Sequence, residues 1–236
     1  MRLNFADQRV LAVVAHPDDA ELLCAGTLAR ARDDGAAIGV CVLCAGDRGQ
    51  PREPIDNLAA VRAQEMIEAA SLLGAELVIA GCPDGTLTDD PATRERVVES
   101  FRLFRPTLVL GHAAEDYHAD HRATAALVDS ASWMSASAGL RTASPPLDTP
   151  PAVWWMDTLG MHRFEPTLYV DVSSYLPLKE RMLGCHRSQL ARGDDSDFPP
   201  LLEQLRIQAA ARGRQAGVAA AEAFRVHHTF GRCRAW

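Results

Sequence analysis

The sequence has little of what a nucleic-acid or membrane protein needs. Its 24 Lys and Arg against 31 Asp and Glu leave a formal net charge of −7. No broad basic surface is available to neutralise phosphates, which excludes a nucleic-acid partner. A small anionic substrate stays open, because a few local arginines can serve one. Apolar runs fall well short of the roughly 20 residues that cross a bilayer, so no membrane partner is expected. The opening residues, Met-Arg-Leu-Asn-Phe-Ala-Asp, lack the apolar segment of a secretory leader. Cysteines are few: six, irregularly spaced at 24, 41, 44, 82, 185 and 233, with no sign of a disulfide framework. Both absences point to a reducing cytoplasm. Cys41 and Cys44 form a C-x-x-C pair, but they lie in an apolar stretch read as a buried strand, where residues three apart face opposite sides. Ordinary core cysteines are expected there. Internal repeats and a second-domain boundary are also missing, so 1–236 reads as one domain.

What is present fits a globular chain. With 236 residues, 47% apolar and 23% charged, it can bury a sizeable core. Strand and helix signals alternate through the first two thirds. Apolar runs at 9–15, 37–45, 77–80 and 107–111 read as strands. Helical patterns at 21–33, 56–73, 91–104 and from about 119 to 137 separate them. Continuous apolar strands between helices of ten or more residues indicate a mostly parallel sheet buried on both faces. The predicted class is α/β, a Rossmann-like layered fold with helices flanking the sheet. Residues 136–152, with prolines at 145, 146, 150 and 151, read as a long loop, more a lid than a mobile segment. Two more strands follow at 153–158 and 167–172, then a helix at 176–190, a loop at 193–200 and a helix at 201–216.

Ligand sites in such folds lie beyond the carboxyl ends of the strands. That rule selects 16–21, 46–50, 82–86 and 112–121, where the polar and histidine-rich segments of this sequence fall. The first holds His16-Pro17-Asp18-Asp19, nitrogen and oxygen donors suited to zinc. Alone it is equally a turn whose Asp caps the next helix. The second holds Asp116-Tyr117-His118-Ala119-Asp120-His121, which alone reads as surface histidines near a helix start. Together they gain force, since both leave the same sheet edge and His16, Asp19 and His121 can converge there. Three protein ligands leave a fourth tetrahedral position open, as catalytic zinc requires. Spacing does not decide which aspartate is ligand and which is base, nor which histidine binds. A phosphate-binding nucleotide fold is the rival from another class. It wants glycines and free N–H groups where this chain has carboxylates.

His16-Pro17-Asp18-Asp19-Ala20-Glu21 with Gly26-Thr27-Leu28-Ala29 resembles the opening motif of the LmbE-like (PIG-L) N-acetylglucosaminyl deacetylases, and His118-Ala119-Asp120-His121 is similar to their second motif. Asp47-Arg48-Gly49, Arg62 with Glu65, Pro83-Asp84-Gly85, Asp171-Val172-Ser173, His186 with Ser188-Gln189, and Ala221-Glu222-Ala223-Phe224 follow in family order. The last three look most like the bacillithiol-pathway branch, which acts on N-acetylglucosaminyl-malate. The resemblance implies Zn2+ (or Fe2+) held by His16, Asp19 and His121, with Asp18 as general base and His118 as the protonated group that stabilises the oxyanion. It also implies a small-molecule amino-sugar conjugate as substrate, and a homo-oligomer. Some mycothiol-pathway relatives carry a catalytic tyrosine where this chain has Asp116. Asp47, Arg48 and Asp84 are candidate substrate-binding residues, the carboxylates for hydroxyls and the guanidinium for a carboxylate. His186, His227 and His228 are left without roles, and Trp154 or Trp155 is a candidate platform for a sugar face. An amidase for a thiol conjugate, a deacetylase for an antibiotic or chitobiose-type sugar, and a non-catalytic metal-binding protein remain the alternatives.

Overall fold

The computed structural model describes residues 3–192 and 200–229; Cys233 and all but the end of the predicted 193–200 loop lie outside them. Seven strands form one sheet. They are β1 (Arg9–Val14), β2 (Ala37–Cys44), β3 (Glu76–Cys82), β4 (Leu108–Gly111), β5 (Ala152–Met156), β6 (Leu168–Asp171) and β7 (Ala221–Val226). Their order is β3-β2-β1-β4-β5-β7-β6. The first five run parallel, whereas β7 is antiparallel to both β5 and β6. The helices are α1 (Asp19–Leu23), α2 (Ala25–Asp33), α3 (Leu58–Leu73), α4 (Pro91–Phe104), α5 (Ala119–Met134), α6 (Leu176–Leu183), α7 (Arg187–Leu190) and α8 (Leu201–Ala216).

Burial on both faces follows from alternation along each strand. In β1, Val10, Ala12 and Val14 enter one core with Leu28, Met66 and Trp154, while Leu11 and Val13 enter the other with Phe101, Val109 and Val128. This is the doubly covered parallel sheet the sequence predicts. The chain reverses its direction of travel across the sheet between β1 and β4, which pair with Val13 opposite Gly111. Loops leaving their carboxyl ends therefore emerge side by side, at the place where such sheets hold ligands.

Four expectations differ from the structure. The helix predicted over 21–33 is broken at Cys24 (φ −148°, ψ 0°). The break frees the first amides of α2, and the Glu222 carboxylate of β7 accepts from Gly26 N (2.9 Å) and Thr27 N (2.7 Å). Glu222 is itself buried against Lys179 of α6, so a strand that shows no apolar run in the sequence is fixed by an ion pair. The 176–190 helix is likewise two, α6 and α7, parted around the fully buried His186.

The 136–152 loop is not a lid. Buried Arg102 of α4 donates to the carbonyls of Ser135, Ser137 and Leu140 (3.1, 2.8 and 3.0 Å) and to the Thr142 hydroxyl (2.9 Å), which fastens the loop over α4. Finally, the pairing of β2 with β3 shifts register between Val42 and Cys44, where three residues of β3 span two of β2. Cys41 and Cys44 lie in one core layer instead of facing opposite sides.

Candidate metal centre and active site

His16 and Asp18 follow β1 directly, and Asp19 begins α1. His118 caps α5, accepting from Asp120 N at 3.2 Å, and His121 lies in the first turn of that helix. Both loops meet as the strand order requires. His16 Nδ1 lies 3.3 Å from His121 Nε2. Asp19 offers Oδ1 at 3.3 Å from His121 Nε2 and Oδ2 at 3.5 Å from His16 Nδ1. Donors held about 2.0–2.1 Å from a tetrahedral ion stand about 3.3–3.4 Å apart, so the three groups have the spacing of a coordination shell.

Each imidazole is turned by a carboxylate on its far nitrogen: His16 Nε2 by Asp120 (3.1 Å) and His121 Nδ1 by Asp116 (3.1 Å). Asp120 accepts the His16 Nε2–H, which leaves His16 Nδ1 as a lone pair aimed at His121 Nε2 and Asp19, while the Asp116 carboxylate stands beside His121 Nδ1 at ion-pair distance. Only a cation or a shared proton satisfies that arrangement, and carboxylate-oriented histidines are the usual support of a metal. Three further sets of donors lie within 4.8 Å of one another: His16, His118 and His121; His16, Cys44 and Asp120; and Asp19, His112 and His121. His112 is fully buried, stacks on His121 at 4.0 Å and accepts from Ala15 N.

The electrostatics follow the same geometry. Burial alone would lower His121, but Asp19 and Asp116 raise it to about 9; His16 is likewise buried and raised further by Asp120 and Asp19. Asp19 is held well below the usual carboxylate range, His121 and His112 outweighing its burial. Asp18 behaves oppositely. Burial and the charge of Asp19 push it up to about 6, against the pull of His186 and Gln189. His118 is lowered by burial and by His16 and His121. Since its Nδ1 accepts a backbone N–H, the neutral ring carries its proton on Nε2.

His16, Asp18, Asp19, His118 and His121 line a cavity of about 340 Å³, with Arg48, Arg62, Asp84, Gln189 and Arg192 around the rest of its wall. Arg48 and Asp84 are therefore where the sequence places them. Asp47 is set back: its Oδ1 accepts from Asp84 N at 2.9 Å, while Asp84 accepts from Gly46 N at 2.8 Å. The two carboxylates brace one another's loops. Trp154 packs on Phe5 and Phe224, and the Trp155 indole donates to His227 Nδ1 at 3.2 Å; neither lines the cavity. His227 Nε2 meets Asp129 at 3.0 Å, and His186 lies 3.5 Å from buried Glu21. Sequence reasoning missed the orienting roles of Asp116, Asp120 and His112. Their only signal is that each lies in or beside the segment that supplies His121.

A parallel sheet with this cluster at its switch point defines an α/β enzyme able to hold a metal ion. The chain belongs to the GlcNAc-PI de-N-acetylase (PIG-L) family, which matches residues 11–132. It is similar to a 4-oxalmesaconate hydratase of Pseudomonas putida, 24% identical over 79% of this chain and 76% of that one. It is also similar to a diacetylchitobiose deacetylase of Thermococcus kodakarensis, 27% identical over 77% of this chain and 70% of that one. The crystal structure of a conserved protein of Thermus thermophilus superimposes with a TM-score of 0.80 at 29% identity, covering 97% of this chain and all of that one.

Proposed function

We propose that the chain is a metal-dependent hydrolase that removes the N-acetyl group from an N-acetylglucosamine conjugate. The observation that carries this is the convergence of His16, Asp19 and His121 donors at 3.3–3.5 Å beside a carboxylate raised to about 6. His16, Asp19 and His121 hold the ion, zinc or iron(II). A divalent ion there supplies a Lewis acid for the amide carbonyl and for the attacking water.

The chain does the rest. Asp18 accepts the water proton and returns it to the departing nitrogen, a task suited to a carboxylate titrating near the working pH. His118 donates its Nε2–H to the oxygen that gains charge as the carbonyl becomes tetrahedral; one such donor is worth about 10²–10³ in rate. Asp84 accepts sugar hydroxyls. Arg48, Arg62 and Arg192, which also line the cavity, favour an aglycone bearing carboxylates, such as the malate of the bacillithiol branch. The whole chain, 1–236, serves this reaction as one domain, in a homo-oligomer of the cytoplasm.

The test is acetate release from a panel of N-acetylglucosaminides by the metal-loaded protein. Asp18→Asn is expected to lower kcat by about 10²–10⁴-fold. In the unsubstituted protein the rate falls as pH drops through Asp18's range, at or below about 6, because the neighbouring cation lowers that range further. Full activity of Asp18→Asn removes the assigned base. The same arginines suit a polycarboxylate, so a hydratase activity like the Pseudomonas relative's is the second reading; water addition to an unsaturated polycarboxylate without acetate release would select it.

A further inference from the structure

Asp18 occupies the position that caps α1, where an aspartate normally accepts from the first free amides of its helix. Here its side chain makes no cap bond, and its backbone is left-handed, with φ +108°. Something must hold the carboxylate away from those amides. The holder comes from the other end of the chain: Gln189 of α7, buried to 7% exposure, donates from Nε2 to Asp18 Oδ2 at 2.8 Å. An amide can be placed either way round, but the buried Arg62 of α3 donates from Nη2 to Gln189 Oε1. A guanidinium only donates, so Oε1 must face Arg62 and the NH2 group must face Asp18. Arg62 is in turn fixed by the Gly49 carbonyl, which accepts from Nη2 at 2.6 Å. One turn along α3, Glu65 accepts from Ser188 N (2.9 Å) and Oγ (2.6 Å), which clamps α7 in place.

We propose that Gln189, oriented by Arg62, is the positioning residue that ties down one oxygen of Asp18 and leaves the other to act on the attacking water. This rests on the deacetylase reading for its rate consequence, though the geometry itself can be tested without it. Tethering Oδ2 holds the side chain in one rotamer. The second oxygen then faces the cavity instead of the α1 amides, and a misplacement of about 1 Å in such a group costs about 10²-fold in rate.

Gln189→Met keeps the length of the side chain but removes the donor without adding charge. In the metal-loaded full chain it is expected to lower kcat by about 10- to 100-fold, with KM within about twofold and the bound metal, measured by elemental analysis, unchanged. Gln189→Leu should lose as much. If packing were the only role, Gln189→Met would retain the rate; a wild-type kcat in that variant, or a loss confined to KM or metal content, overturns the proposal. Crystal structures of the unsubstituted protein and Gln189→Leu supply the readout that needs no activity. Asp18 is expected to swing onto the Ala20 or Glu21 amide in the variant, and an unmoved Asp18 overturns the assignment. If the unsubstituted protein releases no acetate from any conjugate, the deacetylase reading falls and the rotamer of Asp18 alone decides the tether.

Discussion

At the scale of residues, the centre is governed by competition between protons and metal for the same lone pairs. Without a metal, His121 titrates near 9 rather than 6.5, Asp19 and Asp116 outweighing its burial. Its protonated form therefore stabilises the metal-free fold fully below about pH 6.5, and that contribution is lost as pH rises through about 9. The melting temperature of the metal-free protein should fall over that interval, while that of the loaded protein should hold, because metal binding needs the neutral ring. Calorimetric titration with zinc in buffers of different ionisation enthalpy should show proton release, with affinity rising from pH 6.5 to 9. Proton-neutral binding at pH 7 would contradict the assigned ligands. The meeting of the 16–19 and 118–121 segments was legible in the sequence because strand ends fix where loops emerge, whereas the choice of Asp19 over Asp18 and of His121 over His118 came from the family resemblance. Asp120 and Asp116 were not legible: an orienting contact depends on a ring's rotation, which no spacing encodes. The same holds for Gln189, 171 positions from the carboxylate it meets.

Among the elements, the break at Cys24 is the instructive case. Residues 21–33 carry an uninterrupted helical pattern, and only Glu222, arriving from β7, makes two helices better satisfied than one. Close packing comes with it. A Cβ at Gly26 would stand 2.7 Å from Val172 Cβ and 3.1 Å from Glu222 Oε1. Gly26→Ala should therefore cost about 1–3 kcal/mol through overpacking, read as a lower midpoint in urea unfolding; an unchanged midpoint would show that the segment at Val172 parts easily from α2. The helices over 91–104 and 201–216 were predicted to the residue, because Asp90 caps the first with Pro91 next to it and Gly217 ends the second at φ +73°. The long loop was misjudged for a physical reason. Its composition says that it has no periodic structure, not that one buried arginine collects its carbonyls.

Across the whole molecule, the five parallel strands were visible as apolar runs, whereas β7 was hidden because its register is set by Glu222 and Lys179 rather than by hydrophobic pattern. That pair has a practical corollary. Lys179 is the only lysine in the chain, and its side chain is 2% exposed. Amine-directed acylating reagents thus meet no lysine target on the native surface, and modification at 179 becomes a clock for opening of the fold. Labelling followed by peptide mass spectrometry should run at least about 10³-fold slower in buffer than in denaturant. Rapid native labelling would instead reveal that α6 lifts from the sheet on its own.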